Sequence, residues 1–332
     1  MKKVVTLLGV ALLGLFGCSN PETAKQTSPK TLEKVDFILD WTPNTNHTGL
    51  YVAKEKGFLA AEGIDLDIKL PPEDSSSDLV VNNKAPFAVY FQDSMAKKLA
   101  KGAPISAVAA IVEHNTSGII SKKETGITSP KQLEGKTYGT WNDPIELAML
   151  SHIVTQQGGR YDDVKLVPNV DSNSMVPIVN GLFDSAWVFH AWDGIMAKEE
   201  LKLDTNFFYL KDYAPQLDYY TPVIIANNEY LKNNPEQAKK VLRAIKKGYQ
   251  YAIEHPEESA DILIKYAPEL KERRDFIVKS QQYISKQYAS DPKRWGEIDA
   301  KRWNDFYQFL ADAKILDNKL PENAGFTNEY LK

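Results

Sequence analysis

The stretch Asp40-Trp41-Thr42-Pro43-Asn44-Thr45-Asn46-His47-Thr48-Gly49 lies between the apolar segment 35–39 and the helix-like run 50–53. This order predicts a polar loop that leaves the carboxyl end of a buried strand. In open α/β sheets, ligands bind in the crevice outside the carboxyl ends of the strands. The stretch is therefore the first candidate for a ligand-binding loop.

The side chains of this loop suit the recognition of a small polar ring. The Asp40 carboxylate accepts hydrogen bonds, the Asn44 amide donates and accepts them, and the His47 ring can do either. Trp41 offers a large flat apolar face. A purely structural alternative stays open, in which Pro43 and the asparagines form a turn and Trp41 covers the core.

Short apolar runs alternate with helical patterns over most of the chain, which predicts an α/β fold built from βαβ units. The predicted strands are 37–39, 66–70, 85–90, 107–112, 118–121, 137–140, 165–167, 185–189, 207–209 and 221–226. The predicted helices between them are 48–56, 78–83, 94–101, 144–156, 174–180 and 191–200. After 229 the pattern is helical throughout, which predicts a helical C-terminal tail over 235–254, 257–266, 271–288 and 300–313.

The opening loop and several later motifs closely resemble the thiamine-pyrimidine-precursor family of binding proteins and synthases. The motifs are Asp40 to Gly49, Tyr51-Val52-Ala53-Lys54, Lys56-Gly57-Phe58, Gly63-Ile64-Asp65-Leu66, Leu133-Glu134-Gly135-Lys136 and Asn227-Asn228-Glu229-Tyr230-Leu231. The resemblance implies a two-lobed periplasmic-binding-protein fold of type II. The chain would cross between lobes near 116 and return near 215, so that 35–115 plus 216–332 form lobe 1 and 116–215 form lobe 2. Two crossovers make a hinge and a closing cleft.

The N-terminus has the features of a secretory signal for a lipoprotein. Lys2 and Lys3 precede the apolar run 4–16, which ends at Gly17 and Cys18. This pattern predicts a signal peptide over 1–17 and lipidation at Cys18. The polar segment 18–34 would be a flexible tether that holds the protein to the extracytoplasmic face of the cell membrane.

Composition excludes several other classes of function. The formal net charge is −4, and removal of two leader lysines makes it −6, which disfavours a nucleic-acid partner. Cys18 is the only cysteine, so the mature body has no disulfide framework and no thiol nucleophile. The five histidines are too scattered to indicate a metal site, and no motif predicts a cofactor.

Further candidate ligand-binding residues follow other predicted strands, and each could instead belong to the core or the hinge. They are Tyr90, Gln92, Trp141, Trp187, His190, Trp192 and Tyr220. In the family that the chain resembles, an acidic ligand-binding residue tends to occur near the position of His190. The histidine departs from that pattern.

The resemblance implies that the protein is a monomer that captures an aminopyrimidine in its cleft. It would deliver this cargo to the permease and ATPase subunits of an ABC importer, without performing chemistry. The alternative enzyme is a synthase that uses a pyridoxal phosphate lysine, a histidine and a cysteine-rich run. The lysine and histidine positions fall near Tyr90 and Ser94, and the cysteine-rich run falls at 218–223, which has no cysteine.

The other alternative keeps the binding role and changes the cargo to a sulfonate, nitrate or riboflavin-like ring. An anion site calls for an arginine in a loop at the end of a strand. The candidate loops contain no arginine, since most of the arginines lie in the helical tail. The sequence therefore favours a neutral aromatic cargo over a sulfonate.

Overall fold

A computed structural model describes residues 31–72, 76–170 and 174–332. The predicted signal peptide, Cys18 and the tether up to residue 30 lie outside the described residues. Within the described part, none of the helices combines the length and the apolar character needed to cross a bilayer.

The described residues form ten strands in two five-stranded sheets. The strands are β1 (Glu33–Ile38), β2 (Ile64–Lys69), β3 (Phe87–Tyr90), β4 (Ile105–Ala110), β5 (Ser117–Lys122), β6 (Thr137–Thr140), β7 (Lys165–Pro168), β8 (Ser185–Phe189), β9 (Thr205–Tyr209) and β10 (Val223–Asn227). The first sheet has the order β2-β1-β3-β10-β4, and the second has the order β7-β6-β8-β5-β9.

Each sheet is mixed, with parallel strands on one side and antiparallel strands on the other. In the first sheet β1 runs parallel to β2 and β3, whereas β10 runs antiparallel to β3 and β4. In the second, β6 runs parallel to β7 and β8, whereas β5 runs antiparallel to β8 and β9. Because β1 and β3 are parallel to each other, as are β6 and β8, the loops that follow them leave the carboxyl ends of the strands, where ligands bind in such sheets.

The strand order confirms the two-lobed, type II periplasmic-binding-protein fold that the sequence predicts. The chain leaves the first sheet after β4, builds the second from β5 to β9, and returns to the first as β10. All ten predicted strands are present, with shifts of a few residues at their ends. The residue boundaries given above for the lobes and the hinge stay predictions.

Twelve α-helices pack around the sheets within the described residues. They are α1 (Thr48–Glu55), α2 (Phe58–Ala61), α3 (Ser76–Val81), α4 (Gln92–Ala100), α5 (Pro144–Gln156), α6 (Met175–Val179), α7 (Ile195–Glu199), α8 (Asn228–Asn233), α9 (Pro235–Glu254), α10 (Pro256–Tyr266), α11 (Arg274–Tyr288) and α12 (Ala300–Asp312). The tail after β10 is helical, as predicted, and its Trp303 and Phe306 are fully buried in the core.

The predicted helix over 191–200 differs in its first turn. His190–Gly194 forms a π-helical turn, and the α-helix begins only at Ile195. A π-turn widens the backbone spiral by one residue and is frequent at functional sites. It changes which side chains face the neighbouring loops.

Candidate functional site

A cavity of about 310 Å³ lies among the loops that follow β1, β3, β6 and β8. Both sheets contribute to its wall, so it occupies the place where a cleft is expected in this fold. The residues that line it are Asp40, Trp41, Asn44, Asn46, Phe91, Trp141, Ser174, Trp187, Val188, Phe189, Trp192, Asp193 and Pro222.

Two wider concavities lie elsewhere on the molecule. One, of about 730 Å³, is a groove between α5 and α12 that is lined by polar and apolar residues together with Gln216. The other, of about 520 Å³, surrounds Arg302 and Asp218, which pair with each other at 3.0 Å. Neither collects the polar loops at the strand ends, so we take the cavity of about 310 Å³ as the candidate site.

The loop after β1 is held by a chain of two hydrogen bonds that links three residues. The backbone N–H of Asn44 donates to Nδ1 of His47 at 3.2 Å, and Nε2 of His47 lies 2.6 Å from Oδ1 of Asp40. Because Nδ1 accepts, the proton of a neutral ring sits on Nε2 and is donated to the carboxylate. His47 is fully buried behind the cavity and orients Asp40 within it.

Asn44 has a structural role in this loop in addition to lining the cavity. Its Oδ1 accepts the backbone N–H of Asn46 at 2.9 Å, which caps the short 3-10 turn Thr45–His47. Its Nδ2 donates to the carbonyl of Thr42 at 3.0 Å. Asn44 therefore lines the cavity mainly as a rigid part of the loop.

The helical tail anchors this loop from behind. Tyr249 of α9 donates to the carbonyl of Asn46 at 2.6 Å, and Thr48 donates to Oε1 of Gln281 at 2.6 Å. The hydroxyls of Thr45 and Ser280 lie 2.7 Å apart. These contacts fix the loop against α9 and α11, so that its position does not depend on turn chemistry alone.

Four tryptophans form the apolar wall in two pairs. The ring centroids of Trp41 and Trp192 are 6.2 Å apart at 80°, and those of Trp141 and Trp187 are 5.9 Å apart at 63°. Trp41 and Trp141 are 43% and 45% exposed, which is high for a residue type that is usually well covered. Their indole faces are therefore available to a flat ligand.

A buried carboxylate positions Trp141. Glu146 accepts hydrogen bonds from the Tyr138 hydroxyl, the Thr140 hydroxyl and the backbone N–H of Trp141, at 3.0, 2.8 and 3.1 Å. Burial raises the pKa of Glu146 from its ordinary value, and these hydrogen bonds oppose that shift. The loop between β6 and α5 is tied to the helix through one side chain.

Asp193 is the second carboxylate of the wall, and it comes from the π-turn. Its Oδ2 accepts a long hydrogen bond, 3.4 Å, from the backbone N–H of Phe189, and the backbone N–H of Asp193 itself also stabilises the carboxylate. Burial raises the pKa of Asp193 to about 6. A carboxylate in so weak a hydrogen-bonding environment favours a donor-bearing ligand.

One face of α11 holds the π-turn in place. Phe276 packs against Trp192 with ring centroids 4.8 Å apart, Ser280 donates to the carbonyl of Ala191, and the Tyr283 hydroxyl lies 2.7 Å from that of Tyr209. These three residues of α11 follow a helical spacing of four and three, so they share one face. The tail helix thereby ties the second sheet to the first.

Two predicted ligand residues lie behind the cavity wall. Gln92 is fully buried, where its Oε1 accepts the backbone N–H of Tyr220 at 2.7 Å and its Nε2 donates to the carbonyl of Trp303 at 3.0 Å. The Tyr220 hydroxyl accepts the backbone N–H of Asp299 at 2.8 Å, and its ring lies 4.2 Å from the Arg302 guanidinium. The polar groups of Gln92 and Tyr220 therefore bond to other parts of the protein, and neither residue lines the cavity.

Tyr90 and His190 also lie outside the lining. Tyr90 packs against Phe91, with ring centroids 5.7 Å apart, and Phe91 takes the place in the wall. His190 packs against Phe207 at 4.6 Å and Tyr283 at 4.9 Å, and burial lowers its pKa. The six predicted residues in the lining are Asp40, Trp41, Asn44, Trp141, Trp187 and Trp192.

Seven residues line the cavity without being predicted from the sequence as ligand-binding residues: Asn46, Phe91, Ser174, Val188, Phe189, Asp193 and Pro222. Asp193 ends the aromatic stretch that contains His190, and its acidic side chain enters the cavity three residues after the position that the family resemblance suggested. The local signal was the density of aromatic and titratable groups. Phe91 and Pro222 gave none, because they flank strands that become neighbours only in the folded sheet.

The lining combines flat apolar faces with hydrogen-bond acceptors and with the indole N–H of Trp187, a buried donor without a partner among the described residues. Its titratable side chains are Asp40 and Asp193, and among the described residues none of the lining side chains is basic. In the same part of the chain, no group of three or more histidine, cysteine, aspartate or glutamate residues is placed to hold a metal ion. The site is built to hold a flat molecule that donates hydrogen bonds.

Fold and cavity together define a two-lobed solute-binding architecture. Comparison with known proteins shows the family, because the family model described as NMT1/THI5 like matches residues 44–259. This match spans more than half of the chain, and the chain belongs to that family.

The chain is 28% identical to a formylaminopyrimidine-binding protein of Halalkalibacterium halodurans, with 98% of each chain covered. It is 26% identical to the 4-amino-5-hydroxymethyl-2-methylpyrimidine phosphate synthase THI5 of Saccharomyces cerevisiae, covering 90% of this chain and 88% of the synthase. A putative sulfonate ABC transporter's periplasmic sulfonate-binding protein from Methylobacillus flagellatus has the same fold, with a TM-score of 0.64, 15% identity, and coverage of 91% and 93%. The first of these relationships supports a solute-binding role, the second is to an enzyme, and the third shows the fold.

Proposed function

We propose that this protein binds a pyrimidine precursor of thiamine, of the formylaminopyrimidine kind, as the extracytoplasmic component of an ABC importer. The observation that carries the proposal is the cavity of about 310 Å³, with four indole faces and the carboxylates of Asp40 and Asp193. An aminopyrimidine is flat and carries an amine, so indoles can stack on it and a carboxylate can accept from it. A wrong ligand would leave these polar groups unpaired.

The lining favours this cargo over a sulfonate or a phosphorylated pyrimidine. An anion is best held by a positive group, and the charged side chains of the described lining residues are two carboxylates instead. Lys97 of α4 pairs with Asp143 at 2.9 Å and is not part of the lining. Repulsion and desolvation would both oppose a bound anion.

The second candidate function is that of the synthases of this family. The residues at the corresponding positions of this chain disfavour it. The position near the synthase lysine is Tyr90, whose ring packs on Phe91, and the position near the histidine is Ser94, whose backbone N–H donates to Asp93. The chain has no cysteine beyond Cys18. The proposal is therefore binding without chemistry.

In the proposed setting the protein is a monomer anchored by a lipid on Cys18 to the outer face of the cell membrane. Separate permease and ATPase chains would receive the cargo. A Cys18→Ala variant then loses membrane attachment and keeps its fold and its ligand affinity. A variant that still partitions with membranes would contradict the anchor and leave the binding role standing.

A thermal-shift panel tests the cargo. The leaderless protein is heated with aminopyrimidine thiamine precursors, thiamine, riboflavin and small sulfonates, because a ligand of the native state raises the melting temperature. A rise with the aminopyrimidines supports the proposal. A rise with sulfonates alone would overturn it.

A further inference from the structure

We propose that the cavity selects a flat organic cation, so that an aminopyrimidine binds with a proton on its ring. The inference rests on the proposed function for the identity of this ligand, and on the charges of the wall for its protonation state. A ring cation brings its positive charge next to the carboxylates of the wall, and its exocyclic amine can donate a charge-assisted hydrogen bond to one of them.

Asp40 has a hydrogen-bond partner that carries no charge. Its Oδ1 accepts from His47, whose ring is neutral because Nδ1 accepts the backbone N–H of Asn44. The histidine therefore supplies a hydrogen bond and no compensating charge. Asp40 itself lines the cavity, so its carboxylate can also accept a hydrogen bond from a ligand.

Asp193, in turn, has no counterion among the described residues packed around it. The groups packed around the π-turn are His190 on the same turn, Tyr209 and Tyr283 beside it, and Arg273. Arg273 forms a bidentate pair with Glu200 at 2.8 and 2.6 Å, so its charge is already matched. Two carboxylates thus line one cavity with no basic side chain among the described lining residues, so a cationic ligand would bring the positive charge that the wall lacks.

The aromatic wall of the cavity also favours a cation. Indole faces attract cations more strongly than other aromatic rings, and cages of such rings are the usual receptors for organic ammonium groups. Trp41 and Trp141 expose their rings at the cavity, with Trp192 and Trp187 beside them. Indoles and carboxylates together therefore favour a cation over a neutral ring of the same shape.

A pH titration alone cannot show whether the bound ring is a cation. A neutral ligand on protonated Asp193 and a cationic ligand on the Asp193 carboxylate hold the same number of protons. Ligands whose charge does not change with pH distinguish the two states. The probes are the parent aminopyrimidine, its two ring-N-methylated pyrimidinium salts, which are cations at every pH, and the isosteric aminobenzene, whose ring takes no proton. Calorimetry at pH 7.5 would measure the affinity of each.

We expect at least one pyrimidinium salt to bind within about tenfold of the parent, and the aminobenzene to bind at least about tenfold more weakly. Asp193→Asn should weaken the cation by about tenfold or more and leave the aminobenzene unchanged, since loss of a charged partner is costly. Asp162→Asn, an exposed site on the same lobe outside the lining, is the matched charge control and should change neither.

The outcomes separate the two proposals. If the parent binds and neither salt does, or if the aminobenzene binds as well as the parent, the cation inference is overturned and the proposed function survives. If a salt binds and the parent does not, the inference holds and the aminopyrimidine cargo is wrong. If no probe binds, both fall.

Discussion

Nε2 of His47 lies 2.6 Å from Oδ1 of Asp40, and the same ring accepts the backbone N–H of Asn44 at Nδ1. One buried side chain thus joins the end of β1 to the turn that begins α1. It sets the direction of the carboxylate in the cavity and satisfies a backbone donor at the same time.

Replacement of His47 by alanine removes both partners at once. We expect His47→Ala to lower the free energy of unfolding by about 1–3 kcal/mol, the cost of leaving buried polar groups unpaired. Ligand affinity should fall with it, because Asp40 loses its orientation. Chemical denaturation and calorimetry measure the two effects, and His255→Ala, an exposed histidine, is the control. An unchanged affinity in His47→Ala would contradict the positioning role.

Removal of an indole from the cavity wall should affect binding more than folding. Trp41 is 43% exposed, so we expect Trp41→Ala to weaken the ligand by more than about 1 kcal/mol with little change in melting temperature. Trp295→Phe is the complementary control, since Trp295 is fully buried against Tyr249. It should lower the melting temperature and spare affinity. Equal affinities for Trp41→Ala and the native protein would remove Trp41 from the site.

Asp193 gives the ligand-free protein a characteristic pH dependence. Burial raises its pKa from 3.8 to about 6, so ionisation opposes folding. The native protein therefore loses stability as pH rises from about 4 to about 6, and the loss persists above that range. We expect Asp193→Asn to be more stable than the native protein at pH 7.5 and to gain much less at pH 4. Thermal melts at both values measure this, and an equal gain at both would refute it.

The contact between α11 and the second sheet should strengthen ligand binding. Tyr283→Phe removes the hydroxyl that lies 2.7 Å from the Tyr209 hydroxyl and keeps the ring against His190. Because α11 fixes the π-turn that carries Trp192 and Asp193, we expect about a threefold to tenfold loss of affinity, on the scale of one hydrogen bond. Tyr251→Phe removes an exposed hydroxyl bonded to Glu258 and serves as the control. Equal losses in both variants would mean that α11 has no special role.

The fold and the position of two cavity tryptophans, Trp41 and Trp141, can be predicted from local sequence signals. Alternating apolar runs define the strands, and a polar loop with a tryptophan after a strand predicts a place at the sheet edge, as Trp41 and Trp141 show. These signals depend on residues close together in the chain, and so they can be recognised without tertiary information.

The remaining placements depend on partners far away in the chain. Gln92 follows a strand as Trp141 does, yet it bonds to the carbonyl of Trp303, 211 residues later, and is buried. Asp193 enters the cavity because a π-turn, held by α11, replaces the first turn of the predicted helix. Sequence periodicity contains no signal for either event, since both are decided by packing between the two sheets.

The most direct test of the central claim uses the tryptophans of the cavity. Four of the six tryptophans line it, so a ligand that enters must change the intrinsic fluorescence. A fluorescence titration of the leaderless protein with formylaminopyrimidine should show a saturable change at one ligand per chain, unaffected by excess alkanesulfonate. No saturable change, or full competition by the sulfonate, would contradict the account.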